Sequence, residues 1–246
     1  MDADEGLNRL RALGFPEADA QELWAHFDGA EQRGKQGHGY ARIVWLEGLE
    51  GYDPSAEPTL LEEESGFQRW HGAGAIGYLV LGRVVRAQLE RPPAHARLVV
   101  CERTFPTGML GHHVRRLAEG GLVGVLTATS PRRLGHPSGG PKLAGTNPLA
   151  IGIPSSTGDP IVTDVSMGAI TWGDVVAGLA GEDELVPFGG EQAHKAFALA
   201  LGLQLLVDSL VRDEGHGAVM LVARPEADPV PALRKLAAGV RLPGDR

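Results

Sequence analysis

The chain has 246 residues, 43% of them hydrophobic and 22% charged, the mix of a globular protein that buries a core of its own. Its 23 basic against 31 acidic residues leave a net charge of −8, which excludes the basic face of a general nucleic-acid binder. A single cysteine, Cys101, excludes an internal disulfide, and no zinc ligand set is present.

The N-terminal fifty residues read as helices. Leu7, Leu10 and Leu13 mark one apolar stripe that Gly14 is placed to end. Pro16 suits the first turn of a second helix carrying Ala20, Leu23, Trp24 and Phe27 at helical spacing. A third stripe, Ile43, Leu46 and Leu49, ends near Gly51. Between helices two and three lies Arg33 to Arg42, with Gly34, Gly37 and Gly39, too many glycines for a helix interior. This segment predicts a bent loop with His38 and Arg42 facing something specific.

The acidic, proline-containing run Tyr52 to Ser65 reads as a boundary between a helical segment, residues 1–51, and a sheet domain, residues 66–246. There the pattern alternates: helix Ala75 to Leu89, strand Leu98 to Cys101, helix Gly111 to Glu119, strand Leu122 to Thr127. A loop from Ser130 to Pro148 precedes strands Leu149 to Ile153 and Pro160 to Val165. A long apolar helix, Ala193 to Val211, a strand, Ala218 to Ala223, and a short helix, Pro231 to Ala238, complete the pattern. The order implies an α/β or mixed α+β fold with both faces of the sheet covered. The acidic start shows no signal peptide. The greasiest stretch, Ala196 to Val207, is shorter than the roughly 20 residues of a membrane span. A cytoplasmic protein with no membrane and no nucleic-acid partner is expected.

Neither dinucleotide nor phosphate-loop fingerprint occurs. Ser138 to Lys142 reads as a plain turn, and the adjacent His112 and His113 point different ways on a helix, as solvated or core histidines do. His38 and Arg42, four apart, read either as a carboxylate grip, where a guanidinium forks onto two oxygens, or as a capping His beside a surface Arg. Pro148 pushes Asn147 toward an extended conformation. Asp164 ends an apolar strand, the place of a ligand contact or a turn former. Lys195 reads as a snorkelling lysine or an anion contact.

Taken in order, Gln36-Gly37-His38-Gly39-Tyr40-Ala41-Arg42, Ala118 to Gly124, Gly145-Thr146-Asn147-Pro148, Thr163-Asp164-Val165-Ser166, His194-Lys195, Gly215-His216 and Arg241-Leu242-Pro243-Gly244-Asp245 resemble the malate/L-lactate dehydrogenase family with its non-Rossmann NAD(P) fold. The resemblance implies a homodimer with its site near the subunit interface, NADH or NADPH as cofactor, and a small 2-oxo or cyclic 2-imino carboxylic acid as substrate. By position, His38 and Arg42 would hold the substrate carboxylate. Thr146, Asn147, Asp164, Lys195, Pro243 and Gly244 would lie along the cofactor or substrate cleft. The family's Ser-Asn-His-Phe-Gly signature, whose histidine is thought to protonate the substrate, aligns with Thr104 to Gly108, putting Pro106 at the histidine. His38, His112 or Lys195 would then have to replace it as acid. The segments between Asp164 and Gly189 and between Val211 and Gly215 are shorter than the family's. Two further readings follow from these departures: a non-redox, cofactor-free enzyme on the same scaffold acting on a carboxylated metabolite, or a non-catalytic partner subunit.

Overall fold

The computed structural model describes residues 1–213 and 215–245. Helices α1 (Ala3–Ala12), α2 (Glu17–Glu31) and α3 (Ala41–Leu46) form the N-terminal segment. The Asp2 carboxylate caps α1 by accepting from the Glu5 amide at 2.9 Å, a contact of about 1 kcal/mol. Leu10, Leu23, Phe27, Ile43 and Leu46 are fully buried and pack with Ile76, Tyr78 and Leu79 at the start of α4 (Gly77–Glu90). The N-terminal helices are thus joined through α4 to the sheet.

The expected separator contains a strand. β1 (Thr59–Glu64) pairs antiparallel with β2 (Phe67–His71), a hairpin hidden in the sequence because its glutamates read as linker. Those carboxylates find cations: Glu62 meets Arg69, opposite it on β2, and the distant Arg212, and Glu63 meets Arg91, just past α4. A charged edge strand also resists pairing with another chain.

The main sheet adds β3 (Ala96–Glu102), β4 (Val123–Ala128), β7 (Leu149–Ile153), β8 (Ile161–Val165) and β9 (Ala218–Ala223), in the order β1-β2-β3-β9-β4-β7-β8. Only β2 and β3 run parallel. The central strand is β9, in which Met220 pairs with Val99 on one side and Leu126 on the other. Helices α4 and α5 (Leu110–Glu119) cover one face, burying Val84, Leu110, Val114 and Leu117 against Val99, Leu126, Met220 and Val222. The opposite face is covered in part: Val100 and Val219 are buried there, whereas Leu221 is 42% exposed.

The Ser130–Pro148 segment, expected as loop, carries a small hairpin, β5 (Leu134–Gly135) with β6 (Lys142–Ala144). It rests on α7 (Ala193–Leu210) through the cluster Leu134, Ala144 and Ala200. With the preceding 3-10 turn, α7 makes a 21-residue helical run, Gly190–Leu210, of mean hydropathy 1.2, long and apolar enough to cross a membrane by length and composition alone. The greasy stretch is therefore longer than Ala196 to Val207. Here it buries the stripe Ala193, Ala196, Phe197, Ala200, Gln204 and Val207. Short helices α6 (Trp172–Val176) and α8 (Val230–Leu236) complete the fold.

Candidate active site

The glycine-rich segment before α3 is a bend, as its composition predicts, with a 3-10 turn at Gln36–His38. Gly37 is there because α6 presses on it: a Cβ would lie 2.6 Å from the Asp174 amide and 2.7 Å from the Gly173 carbonyl carbon. Thr171 and Asp174 fix the start of α6 in a capping box, with Thr171 N donating to Asp174 Oδ2 at 2.8 Å. Arg42, on the first turn of α3, is 6% exposed. Its Nε donates to Gly37 O at 2.8 Å and its guanidinium carbon lies 4.9 Å from the Trp45 ring centroid. Among the described residues its two Nη groups have no hydrogen-bond partner, which leaves them for a ligand. His38 is half-buried, and its enclosed Nδ1 has no partner among the described residues. Burial and the nearby Arg42 charge lower its pKa from 6.5 to about 3, so its imidazole is neutral at pH 7.

His38 and Arg42 share a cavity of about 470 Å³ whose wall includes Pro106, Thr146 and Asp164. A second cavity, about 550 Å³, adjoins it. The two have Lys35, Met109, Asp164 and Val165 in common, so they form two lobes of one cleft. Each falls within the roughly 300–1,000 Å³ of small-molecule sites. Arg33, Lys35, Arg115, Arg116 and Arg241 line the second lobe against Glu119, Asp164 and Asp245. In a chain of net charge −8, this local excess of cations suits an anionic ligand.

Asp164 stands at the junction, near the end of β8. Its Oδ2 accepts from the Gly111 amide at 2.7 Å, in the first turn of α5. Gly111 permits that approach, since a Cβ would come within 3.0 Å of the same oxygen. Burial raises the Asp164 carboxyl from 3.8 to about 6, against the opposing pull of the Gly111 amide and the Lys35 charge. A carboxyl at about 6 is protonated about a tenth of the time at pH 7.

The other expected site residues divide. Thr146 lines the first lobe; Pro243 and Gly244 line the second. The Pro243 carbonyl accepts from Val162 N at 3.1 Å and that of Gly244 from Arg115 Nη2 at 2.7 Å, anchoring the C-terminal segment beside β8. Asn147 lines neither lobe. It is fully buried with φ of +23°, not extended as Pro148 suggested. Its Nδ2 donates to Ala200 O and Gln204 Oε1, both at 3.0 Å, and its Oδ1 accepts from Ser130 N at 3.2 Å. It therefore ties the Ser130–Pro148 segment to α7. Lys195 is exposed on α7 and lines neither lobe. His113 is buried with His26, and His112, which touches the second lobe, is driven down to about 4 by burial and Arg116. Sequence reasoning missed Arg133, Trp172 and Asp174, all on the first lobe. They sit in stretches without periodicity, and only the contact of α6 with the glycine bend brings them in.

A family model described as malate/L-lactate dehydrogenase matches residues 6–183. The chain belongs to the malate/L-lactate dehydrogenase family. Among this family's members, the chain is 29% identical over 188 residues to a Delta(1)-pyrroline-2-carboxylate reductase of Pseudomonas fluorescens, covering 65% of this chain and 54% of that one. It is 28% identical over 181 residues to a (2R)-3-sulfolactate dehydrogenase (NADP(+)) of Chromohalobacter salexigens, covering 70% and 53%. The chain thus spans about half the length of these relatives. The fold matches the crystal structure of delta1-piperideine-2-carboxylate reductase from Pseudomonas syringae with a TM-score of 0.80 at 22% identity, over 98% of this chain and 89% of that one.

Proposed function

We infer that the protein is an oxidoreductase that uses NADH or NADPH to reduce a small 2-imino or 2-oxo carboxylic acid in the first lobe. The single observation that supports this most is the position of Asp164. A carboxyl tuned to about 6 stands in the wall common to a lobe with a buried guanidinium and a lobe rich in cations. The cation-lined lobe fits the phosphates of a dinucleotide, with Lys35, Arg115, Arg241 and the Pro243-Gly244 turn as the residues that would hold it. A bound reduced nicotinamide supplies hydride; every other task falls to this chain's side chains.

Arg42 forks onto the substrate carboxylate with its two Nη groups. His38, neutral at pH 7, is a poor proton donor. His112 is likewise neutral, and Lys195 lies outside the cleft. Asp164 is then the acid that gives its proton to the carbonyl oxygen or imine nitrogen as the carbon receives hydride, replacing the group whose place Pro106 takes. Positioned acids contribute about 10²–10⁴-fold to such steps. An imine that arrives protonated needs less of this help, because hydride neutralises charge already there.

The reading includes a pair of chains, for which the open sheet face at Leu221 and the outward leucines of α7, Leu199 and Leu205 at 52% and 58% exposure, are the apolar surface. Light scattering checks the dimer. For the activity, NADH and NADPH are titrated by fluorescence and their oxidation is followed with pyruvate-type 2-oxo acids and cyclic 2-imino acids. Arg42→Ala should raise KM at least about tenfold through loss of a charge-assisted fork. Failure of both nucleotides to bind, or turnover in dialysed protein without nicotinamide, removes the assignment.

A further inference from the structure

The first lobe also contains a phenol that the roles assigned so far leave unused. Tyr78 stands in the first turn of α4, inside an apolar helical pattern that marks it as core in the sequence. Most of the side chain is core. Its ring meets Phe27 and His26 of α2 edge-on, with centroids 5.1 Å and 4.9 Å away, and belongs to the N-terminal apolar cluster. Gly108 leaves room for one edge of it, since a Cβ there would run into Tyr78 Cε1. The ring is therefore fixed between α2 and the turn at Gly108.

Its hydroxyl is another matter. Tyr78 is 2% exposed, and among the described residues the hydroxyl has no hydrogen-bond partner. The His26 ring does not take its proton, because His26 Nε2 already accepts from Met109 N at 3.0 Å. Yet Tyr78 lines the first lobe together with Arg42, and the Arg42 charge acts on its hydroxyl. Burial pushes the phenol above its ordinary 10 against that charge, so the group keeps its proton at neutral pH and is a donor. A buried hydroxyl without a partner costs stability, and an acceptor on a ligand removes that cost. In a 2-oxo acid the carboxylate and the oxo oxygen sit on adjacent carbons, so a guanidinium and a hydroxyl in one small cavity suit both.

We propose that the Tyr78 hydroxyl donates a hydrogen bond to the acceptor atom on C2 of the substrate, the 2-oxo oxygen or an unprotonated imine nitrogen, while Arg42 holds the carboxylate. This rests on the reductase reading for the identity of that atom. No bond of Tyr78 breaks: the reduced nicotinamide gives hydride to C2, Asp164 gives the proton, and the phenol keeps its own. The hydrogen bond strengthens as negative charge gathers on the oxygen, so it lowers the barrier as well as holding the ground state. It also makes the lobe prefer 2-oxo acids to the acids that lack the oxo group.

The test uses Tyr78→Phe, which keeps the ring beside Phe27 and His26 and removes only the oxygen. Pyruvate and propanoate are titrated into the protein without nicotinamide and followed by NMR shifts of the protein. The wild type should bind pyruvate about three- to tenfold tighter than propanoate, the worth of one hydrogen bond. Tyr78→Phe should erase that preference and leave propanoate binding unchanged, whereas Arg42→Ala should weaken both acids alike. The thermal midpoint of Tyr78→Phe should equal or exceed that of the wild type, because the hydroxyl it lacks is unpartnered in the free protein. With NADH or NADPH, Tyr78→Phe should lower kcat for a 2-oxo acid by about 10²-fold, whereas Arg42→Ala acts on KM. Absent or equal binding of the two acids to the wild type, a preference that survives Tyr78→Phe, or a lowered midpoint, the sign of a hydroxyl bonded inside the free protein, overturns the proposal. A preference that depends on Tyr78 in a protein that oxidises neither nucleotide keeps this inference and loses the reductase reading. Nicotinamide-dependent reduction that Tyr78→Phe leaves untouched does the reverse.

Discussion

Replacing Asp164 by asparagine separates stability from activity and gives the sign of the charge at the junction of the two lobes. Burial holds this carboxyl at about 6 in the folded chain, against 3.8 for a solvated aspartate. A raised acid binds its proton more tightly folded than unfolded. Its contribution to stability is therefore complete below pH 3.8 and is lost as the pH climbs through 6. About two units at about 1.36 kcal/mol each amount to about 3 kcal/mol of penalty at pH 8, and to less than about 1 kcal/mol at pH 4. Asparagine keeps a carbonyl oxygen to accept the Gly111 amide and carries no charge. Asp164→Asn should therefore stabilise the protein by about 2–3 kcal/mol at pH 8 and by under about 1 kcal/mol at pH 4. Urea unfolding of both proteins at the two pH values measures this as a midpoint shift with unchanged slope. The same variant cannot give up a proton, so its rate of 2-oxo acid reduction should fall by about 10²–10⁴-fold. A stabilisation equal at both pH values, or a loss of stability at pH 8, refutes the argument that this carboxyl is held in a desolvated place.

Three further substitutions probe the walls of the cleft. Gly37→Ala sets a methyl against the Gly173–Asp174 backbone and should cost about 1–3 kcal/mol, read by chemical denaturation, with weakened substrate binding because the bend that aims Arg42 must open. Asn147→Ala removes three buried hydrogen bonds and should cost about 2–4 kcal/mol, with earlier proteolysis between residues 130 and 148. Lys195→Ala, at an exposed position lining neither lobe, should change stability by no more than about 0.5 kcal/mol and leave kcat/KM unaltered; a loss of nucleotide affinity would place this lysine in the site after all.

What could be read without coordinates was whatever local chemistry decides. The apolar stripes of α1, α2, α4 and α5 show themselves because one side of a helix must leave water, and Leu10, Leu23 and Leu117 are fully buried in consequence. The bend around His38 follows from the backbone entropy of three glycines, and the strand with Asp164 from its apolar run. The ordered motifs carried the family. What only the tertiary structure decided is where charges end. The glutamates of β1 look like linker until Arg69 on the paired strand, and Arg91 and Arg212 from distant elements, pair with them. Asn147 and Lys195 both stand in motifs that pointed to the cleft. Burial made one a brace between a loop and a helix, and left the other in water. Arg133 carries no periodicity or motif at all, and it becomes a cleft residue because α6 packs on Gly37 and sets Trp172 beneath its guanidinium. Local propensity is a property of neighbours in sequence, whereas desolvation and ion pairing depend on neighbours in space, which the chain acquires only on folding.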